Sequence, residues 1–458
     1  MGLGMQSGFP SVTAQERINC YLEFVKDGER SKVVCYGTPG NFERVDFGSE
    51  PCRGWYSYQD FLYVVNRGNV WKVNNAGSTT LLGTMTSTSG KVSMSCNGTQ
   101  IIIVDGTTTG YIITVSSGAF AAIADADYPG LKTVVFMDGY FIGNKTNTGQ
   151  FFISGLYDGT AWDALDYEVA ESNPDNLVAV FADQGAIYLL GDFTTEVWGN
   201  NGASDFPFGR VGYPIELGLI APFSVAKMSG SIAFLARNRL GEAQAVLVSG
   251  YSVQIISTPD IDRILNESNT LENATAFSFM TNGHQMYQLN AGGKSFMYDQ
   301  STGVWSRLKS YGIERSRSDM GQNWLNKYVV ADYENGKIYQ LSDTNYDEAG
   351  EPLVFELIGK HVFNNSDRLS VSELWIDMET GVGLATGQGS NPQVMLRYSR
   401  DTGRTWSTER WHTAGAVGDY LTEVKWTRLG RAYDFVFHIK ISDPVKRCIQ
   451  GAYINAAA

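Results

Sequence analysis

Short apolar runs alternate with tight polar turns along most of this chain, with a period of about 40–50 residues. The turns contain Gly, Asn or Asp, residues that adopt the positive φ needed to join two twisted strands. They lie at residues 58–60, 97–98, 138–139, 183–185, 229–230, 282–283 and 324–326. Each repeated unit is therefore predicted to be a β-hairpin.

A single hairpin cannot bury its own apolar face, so a tandem series must stack its units against each other. Strand units with this period are typical of the blades of a β-propeller. Seven turns favour seven blades, and six blades plus a separate hairpin is the alternative count. A large β-sandwich or two stacked barrels would also fit the bias toward strands.

The pattern divides the all-β chain into three parts. Residues 1–50 are predicted to be N-terminal entering strands that pair with the ring, and residues 51–345 the propeller. Residues 346–458 alternate strongly after a polar, acidic stretch, which predicts a C-terminal antiparallel β domain, sandwich-like, that completes or docks on the propeller. A short amphipathic helix is predicted from Pro259, because Ile261, Ile264 and Leu265 fall on one face.

Charge is distributed unevenly along the chain. Lys and Arg total 35 and Asp and Glu 48, a net charge of −13, which opposes tight binding of DNA over the whole surface. Residues 397–447 contain ten Lys/Arg and six Asp/Glu, so the rest of the chain carries −17. We expect Arg428, Arg431, Lys446 and Arg447 to contact a neighbouring subunit or another ring rather than DNA. A solvated strand face is the simpler alternative.

Little in the sequence indicates catalysis. The five cysteines form no CxxC pair and the four histidines have no metal-binding spacing, so we expect no disulfide framework, no metal site and no cofactor. Neither a G-x-S-x-G elbow nor a phosphate-binding P-loop occurs. No signal peptide and no membrane-spanning helix are expected, which favours folding in a reducing cytoplasm.

One short motif carries a defined geometry. Ser399, Asp401, Gly403, Thr405 and Trp406 match the Asp-box pattern S-x-D-x-G-x-T-W. Its carboxylate accepts backbone N–H groups across a hairpin turn, which predicts a structural role. A looser copy spans residues 298–305. Sialidases repeat this motif, so a sialidase-like hydrolase or a glycan-binding propeller is the alternative function, and such a hydrolase needs clustered arginines and a Tyr–Glu pair.

Several longer segments carry a family resemblance. Residues 194–227, 295–308 and 399–454, together with Y-G-T-P-G at 36–40, resemble the packaged-DNA stabilisation proteins of short-tailed bacteriophages, also called tail nozzle or tail hub proteins. The resemblance implies a propeller body assembled as a homohexameric ring below the portal and its adaptor, where the ring retains packaged DNA and conducts it during ejection.

The resemblance also implies partners and a location. A head-to-tail adaptor ring would lie above, a needle or plug at the tip, and fibres or spikes at the side. Double-stranded DNA would pass through the lumen without sequence specificity, and the protein would be a virion tail component assembled in the host cytoplasm. The family has no catalytic residues to carry over. An interaction propeller without a viral role is a third hypothesis.

Overall fold

The computed structural model describes residues 15–26, 32–170, 174–365 and 367–457. Within these ranges the regular secondary structure is β-strand, except for one α-helix, Pro259–Asn266, and one 3₁₀ turn, Leu271–Asn273. The all-β prediction is confirmed.

Seven groups of antiparallel strands in the described ranges form the blades of a closed ring. In blades 1–4 the four strands follow one another in the chain. Blade 1 comprises Cys52–Tyr58, Phe61–Asn66, Asn69–Val73 and Thr79–Thr84, and blade 2 comprises Ser93–Cys96, Gln100–Val104, Tyr111–Thr114 and Phe120–Ala122. Blade 3 comprises Leu131–Met137, Tyr140–Lys145, Gln150–Gly155 and Asp158–Val169, and blade 4 comprises Leu177–Asp183, Ala186–Gly191, Thr195–Asn200 and Phe208–Arg210.

Blades 5–7 depart from this simple order. Blade 5 comprises Gly218–Leu219, Ala226–Met228, Ser231–Arg237, Ala243–Ser249 and Ser252–Ile255, and blade 6 comprises Thr275–Thr281, His284–Ala291, Lys294–Asp299 and Val304–Leu308. Blade 7 comprises Ser318–Trp324, Lys327–Asp332, Lys337–Ser342 and the early strand Gly40–Asp46, with the short strands Asp347–Glu348 and Glu351–Pro352 beside it. The last main strand of blade 7 thus comes from the N-terminal part of the chain.

The predicted turns fall where the pattern placed them. Each of the seven joins the inner hairpin of one blade, and the count of seven blades is confirmed over the described residues. An apolar cluster lies between each pair of neighbouring blades, including blades 7 and 1, where Val64 packs with Val329 and Ile338. Burial of these side chains between blades provides the stabilisation that an isolated hairpin lacks.

The predicted helix is confirmed as Pro259–Asn266. Ile261 and Leu265 are fully buried against the cluster between blades 5 and 6, and Ile264 packs at its margin. Pro259 occupies the first turn, where its missing N–H leaves no hydrogen bond unmade.

A β-sandwich follows the ring. One sheet contains Glu16–Ile18, Phe355–Ile358, Asp434–Ile441, Gln393–Ser399 and Arg410–Thr413, with Val362–Phe363 beside it. The other contains Cys20–Phe24, Val33–Gly37, Cys448–Ala457, Leu369–Met378 and Val424–Ala432. An apolar core between the sheets includes Phe355, Leu374, Trp426 and Phe435.

The N-terminal strands divide between the two bodies. Glu16–Ile18 pairs with Val304–Leu308 of blade 6 on one side and with Phe355–Ile358 of the sandwich on the other. The hairpin Cys20–Phe24 and Val33–Gly37 pairs with the C-terminal strand of the sandwich rather than with a blade. The ring and the sandwich are therefore joined by continuous strand pairing at blade 6.

Candidate assembly and binding surfaces

The Asp-box residues form a hydrogen-bonded turn between two strands of the sandwich. Asp401 Oδ1 accepts the Thr405 N–H at 2.8 Å and the Ser399 hydroxyl at 2.7 Å, while its Oδ2 accepts the Thr405 hydroxyl at 2.6 Å. Gly403 has φ +87°, a value that favours glycine. These bonds lower the pKa of Asp401 to about 2, with the Thr405 hydroxyl contributing most. The motif's polar groups are thus occupied within the turn itself.

The looser copy of the motif turns in a similar way between the last two strands of blade 6. Asp299 accepts the Ser301 N–H and the Thr302 hydroxyl, each at 2.8 Å, and also contacts His284 Nδ1 at 2.8 Å. Trp305 is buried and donates its Nε1–H to the Ile256 carbonyl at 2.7 Å. The contacts of Asp299 and Trp305 are therefore those of a packed structural turn.

The four basic residues predicted to lie at an interface have different environments. Arg428 and Arg431 are exposed on the edge strand Val424–Ala432 and form no ion pair within the described residues. Lys446 is also exposed, but its ammonium lies 2.8 Å from a Glu379 carboxylate oxygen.

Arg447 does not lie on the surface, and the expectation that it faces an interface needs correction. Its side chain is 2% exposed, and its guanidinium donates to the carbonyls of Leu353 and Thr38. Gly37 packs directly against it, since a Cβ at that position would lie 2.7 Å from Arg447 Nε. Arg447 therefore connects the linker between ring and sandwich to the N-terminal hairpin.

The propeller axis opens into a cavity of about 480 Å³ at the face where the inner strands begin. Its walls come from blades 1, 3, 5, 6 and 7 and from the segment that joins blades 1 and 2, and they include the arginines Arg53, Arg67 and Arg315. Three arginines in one cavity are part of what a sialidase requires.

Most of that positive charge is already neutralised. Arg53 uses all five of its N–H donors within the chain, on the carbonyls of Gly90, Arg67 and Ser87, the Ser87 hydroxyl and the Asp105 carboxylate. Arg315 bonds to Asp319 at 2.9 Å and lies 4.0 Å from the ring centroid of Tyr333. Of the three arginines lining this cavity, Arg67 alone has no side-chain partner among the described residues.

Tyr333 lies at the cavity wall beside a carboxylate. Its hydroxyl donates to Glu334 Oε1 at 2.8 Å, and Glu334 also pairs with Arg317 at 2.9 Å. Burial and the neighbouring Glu334 raise the pKa of Tyr333, which disfavours the phenolate. Sequence reasoning singled out none of these axial residues, because they come from separate blades and share no local motif.

Two further features concern binding and location. Within the described residues no group of three or more His, Cys, Asp or Glu side chains is arranged to hold a metal ion. Over the same residues, no helix has both the length and the apolar character required to cross a membrane.

Comparison with solved structures gives only remote similarity. The WD40 β-propeller domain of Doa1 is 11% identical in sequence, with a TM-score of 0.43. The alignment covers 67% of this chain and 97% of the Doa1 chain. BamB from Moraxella catarrhalis is 10% identical in sequence, with a TM-score of 0.42. The alignment covers 70% of this chain and 93% of the BamB chain. The fold is therefore assigned from the strand pairing within this chain and not from these similarities. A search of curated proteins found no match.

Family models match both parts of the chain. The model described as "Bacteriophage P22 Gp10, beta-propeller" matches residues 22–346, and the one described as "Bacteriophage P22 Gp10, beta-sandwich" matches residues 354–457. The first match covers the ring and the second covers most of the sandwich, whose N-terminal hairpin falls mostly within the first match. The chain therefore belongs to the bacteriophage P22 Gp10 family of packaged-DNA stabilisation proteins, which are structural components of the virion.

Proposed function

We propose that this protein forms the nozzle or hub of a short phage tail, a homohexameric ring below the portal and adaptor. The ring retains packaged DNA and conducts it during ejection. The observation that carries the proposal is the match of both family models, one to the propeller and one to the sandwich, over residues 22–346 and 354–457. A needle or plug at the tip, lateral fibres or spikes and the adaptor are the proposed neighbours.

The physical properties of the subunit support this role. Packing of the blades into a closed ring buries their faces and divides the strands among small sheets, which limits unspecific edge-to-edge association. A net charge of −13 disfavours adhesion of DNA that slides past the protein. All five cysteines are free thiols, which fits assembly in a reducing host cytoplasm.

The test is the architecture of the purified protein, alone and mixed with its adaptor, in negative-stain images. We expect six-membered rings with an axial hole wide enough for duplex DNA. A protein that stays monomeric in both preparations would contradict the proposal.

One observation favours a second candidate, a sialidase-like or glycan-binding propeller. Three arginines and Tyr333 line the axial cavity, and the Tyr333 hydroxyl donates to Glu334. Against it, Arg53 and Arg315 are committed to Asp105 and Asp319, so the cavity has one arginine free to bind a substrate carboxylate.

A fluorogenic sialoside assay, with titration of sialic acid followed by NMR, separates the two candidates. The tail proposal expects no turnover and no saturable binding. Turnover that Arg67→Ala abolishes would establish the second candidate.

A further inference from the structure

Opposite charges are concentrated in two distant parts of the subunit. Residues 131–210, which form blades 3 and 4, contain three Lys/Arg and eleven Asp/Glu, a net charge of −8. Residues 397–447 of the sandwich carry a net charge of +4. Each part contains an edge strand that pairs on one side only, Asp158–Val169 in blade 3 and Val424–Ala432 in the sandwich. An exposed apolar side chain lies on the first strand, Leu165, and directly after the second, Tyr433.

The acidic surface is a bulge in the outer strand of blade 3. Tyr167 pairs with Phe152 and Trp162 with Ser154, so residues 163–166 protrude opposite one residue of the neighbouring strand. Leu165, at the tip of this protrusion, is 81% exposed.

Carboxylates surround the exposed leucine. Asp163 and Asp166 flank it in the chain, and Asp205 from the neighbouring blade lies close by. Burial, with the negative charges of Asp163 and Asp205, raises the pKa of Asp166. None of these three carboxylates forms an ion pair with any described residue. We call Asp163, Leu165, Asp166 and Asp205 the acidic bulge.

The basic surface lies along one of the free strand edges of the sandwich. The strand Val424–Ala432 pairs on one side only, with Leu369–Met378, and bulges where Arg428 adopts φ +61°. Arg400 from the Asp-box turn holds this bulge by donating to the Leu429 carbonyl at 2.6 Å. The edge therefore has a fixed shape.

Cations and one aromatic ring occupy this edge. Arg428 and Arg431 are exposed, and Arg368 lies 5.1 Å from the ring centroid of Tyr433, which is itself 55% exposed. These three arginines form no ion pair with any described residue. We call Arg368, Arg428, Arg431 and Tyr433 the basic edge.

The two surfaces lie on different sides of the subunit. The sandwich is joined to blade 6 through Glu16–Ile18, and blade 3 is three blades away in a ring of seven. One chain therefore does not bring its acidic bulge onto its own basic edge, but a second copy presents the complementary surface. A contact between two different patches propagates head to tail, and it gives a ring when the rotation from one copy to the next closes.

We propose that the acidic bulge of one copy docks on the basic edge of the next, with Leu165 against Tyr433 and Asp163 and Asp166 facing Arg428 and Arg431. The inference rests on the proposed ring and assigns its intersubunit contact. Opposite charges fix the register of such a contact, and the apolar pair excludes water at its centre.

Charge exchange tests the contact. One variant carries Asp163→Lys with Asp166→Lys, a second carries Arg428→Glu with Arg431→Glu, and a third carries all four substitutions. Oligomer mass is measured by sedimentation velocity at low and high salt, with negative-stain images of each sample. A control variant, Asp60→Lys with Asp127→Lys, makes the same change in net charge as the first variant, at exposed sites elsewhere.

We expect each double variant alone to lose association by about 100-fold or more, because like charges then face each other. An equimolar mixture of the two double variants, and the fourfold variant alone, should assemble again, because every contact regains opposite charges. This recovery also excludes misfolding as the cause of the loss. The control should assemble like the wild type, and high salt should weaken every assembled form.

The outcomes separate this inference from the proposed function. Rings that persist in both double variants would overturn the docking contact and leave the tail ring intact. Loss of assembly without recovery in the mixture or in the fourfold variant would also overturn it. A wild-type protein that is monomeric in every preparation would overturn both proposals.

Discussion

Ser342, at the end of the third strand of blade 7, pairs with Gly40 near the start of the chain, and this pairing closes the propeller ring. The Gly40 N–H also donates to the Asn345 carbonyl at 2.9 Å. A Cβ on Gly40 would lie 2.3 Å from the Asp347 carbonyl oxygen and 2.7 Å from that of Asn345. Glycine is thus required here by close approach of backbone.

Gly40→Ala should weaken ring closure, because the added methyl displaces the 345–347 backbone. We expect the free energy of unfolding to fall by about 1–3 kcal/mol, measured by urea denaturation. Gly359→Ala is the matched control, since its Cβ would meet the nearest atom, the Phe437 carbonyl oxygen, at an ordinary 3.6 Å. Equal stability of the two variants would show that the backbone around Gly40 accommodates a methyl group without loss of unfolding free energy.

Arg447→Met and Lys446→Met should differ greatly although the residues are adjacent. Loss of the buried Arg447 guanidinium leaves the Leu353 and Thr38 carbonyls without this donor, which should cost about 2–3 kcal/mol of unfolding free energy. Loss of the exposed Lys446–Glu379 pair should cost less than about 1 kcal/mol. Thermal and urea unfolding of both variants would check this, and similar losses would disprove the buried role of Arg447.

Glu348 should make stability depend on pH. Its side chain is buried beside Asn41, and desolvation, the largest cause, raises its pKa from 4.5 to about 7. The folded state therefore holds a proton that the unfolded state releases above about pH 4.5. Stability from this group is fully present below that pH and is lost as pH rises through about 7.

Glu348→Gln removes this titration. Relative to the wild type it should gain stability between pH 5 and pH 8, by roughly 3 kcal/mol at most. The exposed Glu351 on the same hairpin supplies the control Glu351→Gln, which should follow the wild-type profile. Urea midpoints measured across this range give the result, and parallel profiles for wild type and Glu348→Gln would refute the prediction.

Asp401→Ala should loosen the Asp-box turn without unfolding the chain. The Thr405 N–H and hydroxyl and the Ser399 hydroxyl lose the carboxylate that accepts their hydrogen bonds. We expect faster amide hydrogen exchange at Thr405 and Gly403, followed by NMR, with Asp401→Asn intermediate because its amide oxygen still accepts one bond. Unchanged exchange at Thr405 would mean that the strands alone hold the turn.

The sequence was sufficient for features that depend on neighbouring residues. Seven Gly-, Asn- or Asp-containing turns marked the inner hairpin of every blade, and helical spacing at Ile261 and Leu265 located the helix. Turn conformation and side-chain periodicity depend on residues close together in the sequence, so they can be predicted from it. The segments that resemble the phage family could also be recognised from the sequence, because each is continuous.

Long-range pairing decided the rest. The sequence did not reveal that Gly40–Asp46 enters blade 7 while Cys20–Phe24 joins the sandwich, because each sheet is completed by strands from much later in the chain. Nor did it distinguish the buried Arg447 from the exposed Lys446, whose charges are identical. The axial cavity collects its residues from five blades and from the segment between blades 1 and 2. The burial of a side chain and its contact partners depend on which distant segments come together. In this protein, the closure of the ring and the pairing of N-terminal strands with the sandwich determine which segments do so.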